Sequence, residues 1–317
     1  MPLLQGTAVA IAVDLGLVAA AVAGLWVGAN WFVAGATRLA RRLGLSGLVI
    51  GLTVVAFGTS APEFAVTVDA AVAGNPDISV ANVVGSNVVN LGFVLGGAAL
   101  VRALPTSHDL VWRDSVVLVG VTALVLGLLW DLRLERVEGL LLLGLLVGYL
   151  AVLVRSGSVG GTVDTATVSS FERTDAARLV VGLGIVVGAA HLLVGSAADL
   201  AGAAGVSDWV IGATVVALGT SAPEFVTSVA AARRGRAGLS AGNLVGSCVF
   251  NFLGVLGVAA VVAPLPVSPA AVSGTTWLLA TVVLVAVLFG TRRVLSRPEG
   301  ALLVGVNVVN WVVDFLR

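Results

Sequence analysis

Lysine is absent from this 317-residue chain, and all 17 of its basic residues are arginine. Cysteine, methionine and tyrosine occur once each and histidine twice. The single cysteine, Cys248, excludes an intrachain disulfide and any cysteine-based metal cluster. Charge of either sign is scarce: 11% of residues are charged, against about 25% in soluble domains. With 58% hydrophobic residues and a mean hydropathy of +1.09, the composition rules out an ordinary water-soluble domain. The amino-terminal MPLLQGTAVAIAV has no basic start and no clear cleavage site, so it is expected to lead into a first span and not to be removed.

Apolar stretches of bilayer length, about 20 residues, recur from end to end. Ten spans are expected, near 10–35, 46–73, 78–100, 113–130, 136–154, 177–200, 208–232, 238–262, 270–290 and 299–316. The runs are continuous and rich in glycine, which favours a bundle of closely packed helices over a β-barrel. With ten spans, fourteen of the 17 arginines fall on one side, and only Arg133, Arg136 and Arg317 on the other. The positive-inside rule then puts the arginine-rich side in the cytoplasm and both termini outside the cell membrane.

The chain also repeats itself. Residues 51–96 align without a gap onto 212–257 at a constant offset of 161, with more than half the positions identical. GTSAPEF occurs in both copies, as does an Asn-x-Val-Gly-Ser-x-Val-x-Asn pattern, NVVGSNVVN from Asn82 and NLVGSCVFN from Asn243. The expected organisation is a first five-helix repeat over 1–154, a cytoplasmic linker over 155–176 and a second repeat over 177–317. Five is odd, so the second copy enters the membrane from the opposite face. The expected fold is therefore all-α and integral to the membrane, with ten transmembrane helices in two inverted-topology repeats and helix breaks at the midplane.

Each GTSAPEF places a proline and a glutamate inside an apolar run. Proline cannot donate a backbone hydrogen bond and clashes with the carbonyl four residues back, so Gly58 and Gly219 are expected to present freed carbonyls. Within a bilayer such groups persist where they line a cavity or find another partner. Thr59 and Glu63 share a helix face at a spacing of four, as do Thr220 and Glu224. Asn82, Ser86 and Asn90 stack at the same spacing, repeated by Asn243, Ser247 and Asn251. A carboxylate at the centre of a membrane helix costs about 2.5–3.5 kcal/mol. Two would cost roughly 5–7 kcal/mol, comparable with the ~5–15 kcal/mol stability of a whole domain. The arginines all lie at span ends or in loops, so a cation must offset the charge. An oxygen-only cluster with two carboxylates suits calcium, which takes about 6–8 oxygen ligands. Transition metals would call for thiolate or imidazole.

GTSAPEF paired with NLVGSCVFN, in two inverted copies over ten spans, resembles the calcium/cation antiporter superfamily and, within it, the sodium/calcium exchanger branch. The resemblance covers nearly the whole chain. It implies that Glu63 and Glu224 are the central calcium and sodium ligands. Thr59, Ser60, Thr220 and Ser221 would add hydroxyls or carbonyls, and Ala56 and Ala217 backbone oxygens. Ser86 and Ser247 would help form flanking sodium sites, with Asn90 and Asn251 beside the centre. It also implies that the first and sixth spans slide as a gate, and that sodium enters as calcium leaves by alternating access. Ca2+ and Na+ would be the transported ions, with no cofactor, no catalytic residue and no nucleic-acid partner. Some members carry aspartate at the position of Asn251; asparagine here argues against potassium coupling. Proton-coupled relatives carry a glutamate soon after their Gly-Asn pair, which NVVGS and NLVGS lack, favouring sodium over H+. A Ca2+/H+ antiporter using the same site is the alternative.

Other readings fare worse. A hydrolase built on Ser60 or Ser221 with His191 as base needs one Ser–His pair, whereas the motif is doubled and the histidine is not. A channel with a carboxylate ring is separated from an exchanger by flux coupling. Asp14, Asp69 and Asp199 read as helix-end carboxylates, with an ion entry path as the alternative for Asp69. His191 reads as a hydrogen-bonded packing residue of the sixth span, with pH sensing or gating as its alternative. Trp112, Trp130 and Trp209 read as interfacial anchors.

Overall fold

A computed structural model of the protein describes residues 2–42, 60–108, 110–155, 173–222, 224–225, 228 and 237–316. These residues are helical apart from four two-residue strands and the short turns between elements. The helices are α1 (Pro2–Arg42), α2 (Ala61–Val72), α3 (Pro76–Val101), α4 (Leu110–Asp131) and α5 (Arg136–Arg155), then α6 (Arg173–Ala204) and α7 (Asp208–Thr220). They continue with α8 (Ala237–Phe250, running on through Asn251–Leu256 to Val262), α9 (Pro269–Arg292) and α10 (Arg297–Leu316). Eight have the length and apolarity to cross a membrane; α2 and α7 are shorter. The expected spans 46–73 and 208–232 continue into residues outside the described ones.

Helix ends follow local chemistry. Pro76 opens α3 and Pro269 opens α9, where the missing N–H is one that no helix satisfies anyway. At α7 the Ser207 hydroxyl caps the Val210 N–H at 3.4 Å. Gly74 and Gly205 leave α2 and α6 with φ of +81° and +66°, the left-handed turn that glycine adopts without steric cost.

α3 and α8 occupy the centre: 83% and 72% of their spans are buried, against 11–39% for the other long helices. Small residues let neighbouring backbones approach them. A Cβ on Gly85 of α3 would stand 2.6 Å from the Ala213 carbonyl oxygen of α7. One on Gly96 of α3 would stand 2.8 Å from Gly300 O of α10, and one on Gly139 of α5 2.7 Å from Gly257 O of α8. Adding 161 to Gly96 and Gly139 gives Gly257 and Gly300, so the internal repeat exchanges these two contacts.

The strands obey the same exchange. β1 (Leu104–Pro105) pairs antiparallel with β4 (Val294–Leu295), and β2 (Arg133–Leu134) with β3 (Leu265–Pro266). The offset carries β1 onto β3 and β2 onto β4. Leu132 and Arg293, the non-glycine residues with positive φ (63° and 52°) among those described, are also 161 apart.

These contacts constrain the topology. α1 packs on α6, with Gly28 against Gly182 and Gly35 against Asp175; one number rises as the other falls, so the two helices run antiparallel. Antiparallel packing of α1 on α6, and the pairing of β2 with β3, are the relations that inverted repeats of five spans each would produce.

Two expectations change. Trp209 is 2% exposed and packs on Gly274, where an added Cβ would run into its ring. It is a core residue of the α7–α9 contact and not an interfacial anchor, whereas Trp112 and Trp130 are exposed. Residues 173–176, expected in the linker, belong to the first turn of α6.

Cysteines introduced at exposed Ser107, beside β1, and at Asp131, beside β2, should label with a membrane-impermeant maleimide from opposite faces. Asp131→Cys should react in intact cells and Ser107→Cys only after permeabilisation; the buried Cys248 should add little background. Labelling of both from one face would contradict a membrane crossing by α4.

Candidate cation-binding site

Four helices bring the repeated motifs together. Ser60 precedes α2, whose first turn contains Pro62 and Glu63. Proline here needs no hydrogen-bond partner, and the carboxylate sits at the helix end whose dipole favours a negative charge. The described helix begins at Ala61, at the expected break; Ala56, Gly58 and Thr59 lie outside the described residues. In the second copy α7 stops at Thr220, and Ser221 leaves it with φ −83° and ψ 4°. Pro223 lies outside the described residues.

Glu63, Glu224, Ser60, Ser86, Asn90, Thr220, Ser221, Ser247, Asn251 and Ala217 are all buried. The two carboxylates come from opposite halves of the chain, and Glu224 lies within electrostatic reach of Glu63. Ser221 Oγ donates to Glu63 Oε1 at 3.2 Å. The Thr220 hydroxyl lies 3.2 Å from Ser86 Oγ and donates to Asn82 Oδ1 at 3.1 Å. Asn82 in turn donates to the Glu63 carbonyl at 3.3 Å and to Thr67 Oγ1 at 2.9 Å. The Ala217 carbonyl, expected as a ligand, accepts from Ser221 N at 3.0 Å and lies 3.3 Å from Thr220 Oγ1.

Among the described residues four buried oxygens of the cluster have no hydrogen-bond partner: Ser60 Oγ, Glu63 Oε2, Asn90 Oδ1 and Asn251 Oδ1. Each unsatisfied buried group costs about 1–3 kcal/mol, so an arrangement of several needs something to bind. Asn90 Nδ2 is unpartnered among the described residues as well; the four oxygens are of the donor type that suits sodium and calcium. Among the described residues, no three His, Cys, Asp or Glu side chains come together, so a cation here would draw most of its ligands from hydroxyl, amide and carbonyl oxygens.

Sequence reasoning passed over two features. α3 and α8 each widen into a π-helical turn at nearly the same repeat position, Val89–Val94 and Asn251–Leu256; such turns cluster at functional sites. Asn87 lies buried between the repeats, donating to the Cys248 carbonyl at 3.3 Å and accepting from Asn251 Nδ2 at 3.1 Å. Its counterpart in the second copy is Cys248, so attention to residues kept in both copies misses it.

The remaining candidates sit apart. His191 Nδ1 lies 3.3 Å from the Asp69 carboxylate, linking α6 to α2. Asp69 borders a cleft of about 270 Å³ lined by Phe32, Phe64, Val68, Leu183 and Val186. His191, expected to pack, is exposed instead and engages Asp69, while the Ser221 hydroxyl engages Glu63, which leaves the hydrolase reading without its nucleophile–base pair.

The sodium/calcium exchanger family model matches residues 13–155 and 175–315, one stretch in each half. The chain belongs to the sodium/calcium exchanger family. It is therefore a multi-pass membrane exchanger and not an enzyme. Among curated relatives, the putative antiporter CaxA of Alkalimonas amylolytica is 35% identical, over 87% of this chain and 90% of that protein. The sodium/calcium exchanger MaX1 of Methanosarcina acetivorans is 29% identical, over 91% and 94%. The solved sodium-calcium exchanger NCX_Mj, soaked with Na+ and Sr2+, superimposes with a TM-score of 0.65 at 30% identity, covering 94% of this chain and 98% of that one. Exchangers of this family thus supply the fold on which the buried oxygens converge.

Calcium should raise the melting temperature of the purified protein, because a ligand at 100 times its Kd stabilises by about 2.7 kcal/mol. Glu63→Gln and Glu224→Gln should melt no lower than the cation-free wild type and show no calcium-dependent shift. A full calcium shift in both variants would remove the carboxylates from the binding site.

Proposed function

We propose that this exchanger moves Ca2+ out of the cell against inward Na+ by alternating access, with Glu63 and Glu224 as the shared ligands of both ions. The observation that carries the reading is the burial of two carboxylates from opposite halves, within reach of each other, in a cluster with four buried oxygens that lack partners among the described residues. Ser60, Ser86, Asn90, Thr220, Ser221, Ser247 and Asn251 would complete the coordination, with Thr59 and the carbonyls of Ala56 and Ala217. A cation resolves the repulsion of the two carboxylates and supplies the missing partners in one step. Two ions of like donor preference that compete for one set of ligands are exchanged, because neither can occupy the set while the other does.

Sodium is preferred to H+ as the counter-ion because NVVGS and NLVGS lack the glutamate that proton-coupled relatives carry soon after their Gly-Asn pair. MaX1 and NCX_Mj, both named for sodium and calcium, support the same choice. Residues 1–154 and 177–317 would be the two halves, with α1 and α6 moving together across the others. Their close glycine contacts and the Arg38–Asp175 ion pair at 3.1 Å favour motion as one body. The cell membrane, with both termini outside, is the proposed location.

Proteoliposomes loaded with sodium should take up calcium when diluted into sodium-free buffer, and Glu63→Gln and Glu224→Gln should each lower the rate by at least about 100-fold, the order expected when a ligand central to a charged step is lost. Uptake driven by a pH gradient and indifferent to sodium would replace this reading with Ca2+/H+ antiport.

A further inference from the structure

A carboxamide beside a cation is useful only when its oxygen faces the ion, and its two ends have nearly the same shape. We infer that Asn87 is a positioning residue that fixes the oxygen of Asn251 toward the cation cluster. This inference rests on the reading of Asn251 as a ligand.

The Cys248 backbone carbonyl can only accept a hydrogen bond. Asn87 approaches it at 3.3 Å, so the end of Asn87 facing that carbonyl is its NH2. Its other end, Oδ1, therefore faces Asn251 and must receive a hydrogen. Asn251 can meet it at 3.1 Å only with Nδ2. Asn251 Oδ1 is then the end left over, and it is buried without a hydrogen-bond partner among the described residues.

Orientation thus passes from a backbone carbonyl of α8, through a side chain of α3, back to a side chain of α8. Asn87 is completely buried, so water does not compete for either end. It stands in the first half of the chain and orients a group of the second, at the π-helical turn that opens with Asn251. The repeat counterpart of Asn87 is Cys248, which carries no carboxamide. The Cys248 thiol does lie within reach of Asn90, the counterpart of Asn251, but a thiol can donate or accept and so does not select one end of the amide; the orienting device belongs to one half only.

Aspartate at position 251 presents oxygen whichever way it turns and needs no orienting partner. This separates a positioning role from ordinary packing. In calcium titrations of the full-length protein, Asn87→Ala should weaken binding by about 10-fold or more, the range seen when a partner of a metal ligand is removed. In an Asn251→Asp background the same substitution should cost less than about 2-fold or improve affinity, because it removes the Asn87 oxygen that would face the new carboxylate. An equal loss in both backgrounds would reduce Asn87 to a packing residue and overturn the inference. Should Asn87→Ala fail to fold, Asn87→Ser loses the same carboxamide and carries the same expectation. The cation reading itself is checked separately by wild type and Glu63→Gln: no calcium binding by wild type, or undiminished binding by Glu63→Gln, would defeat that reading and this inference with it. A wild type that binds calcium through Glu63, with equal Asn87→Ala losses in both backgrounds, would defeat the inference alone.

Discussion

Two carboxylates buried in one apolar bundle set the terms for this molecule. Glu63 and Glu224 are almost wholly removed from solvent, and each would cost a few kcal/mol at the centre of a bilayer. Hydrogen bonds offset only part of that. Ser221 reaches one oxygen of Glu63, while the other oxygen and three further buried oxygens of the cluster stay unsatisfied among the described residues. A fold optimised for stability alone would place alanine or leucine at both positions. Holding the charges in place is instead the task of the surrounding helices, whose small residues bring backbones close enough to build a rigid wall.

That wall is made twice, and the two copies do not behave alike. The offset of 161 carries the Gly96–Gly300 contact onto Gly257–Gly139 and one strand pair onto the other, so the scaffold keeps its internal two-fold relation. The polar centre departs from it. Ser221 bonds to Glu63, whereas Ser60, its counterpart, has no hydrogen-bond partner for its hydroxyl among the described residues. Asn82 is buried and Asn243 is exposed. An exchanger made of inverted repeats works by letting its halves differ in conformation while sharing a site, and the hydrogen bonds around the carboxylates are where these halves differ.

Span positions were legible because they rest on apolar content, which the bilayer demands regardless of how helices pack. The expected 136–154 and 270–290 lie within one or two residues of α5 and α9. The candidate ligands were legible for another reason: a polar residue kept in both copies of an oily repeat stands out without any coordinates. The same filter hid Asn87, whose counterpart is a cysteine, although its two hydrogen bonds connect the halves. Trp209 misled because a tryptophan near a span end looks the same in sequence whether it faces headgroups or a glycine of α9.

Taken alone, the order of residues determined that the chain crosses a bilayer many times, that it is built twice in opposite senses, and that each copy places a glutamate inside an apolar run. These follow from hydropathy, parity and charge, each of which is counted along the chain. The tertiary structure decided which atoms are already spoken for. Whether an oxygen is free to bind depends on neighbours more than a hundred residues away, as Ser221 is from Glu63 and Asn87 from Asn251. Distances across the bundle are set by how closely helices can pack, and that is a property of facing surfaces that linear spacing does not contain.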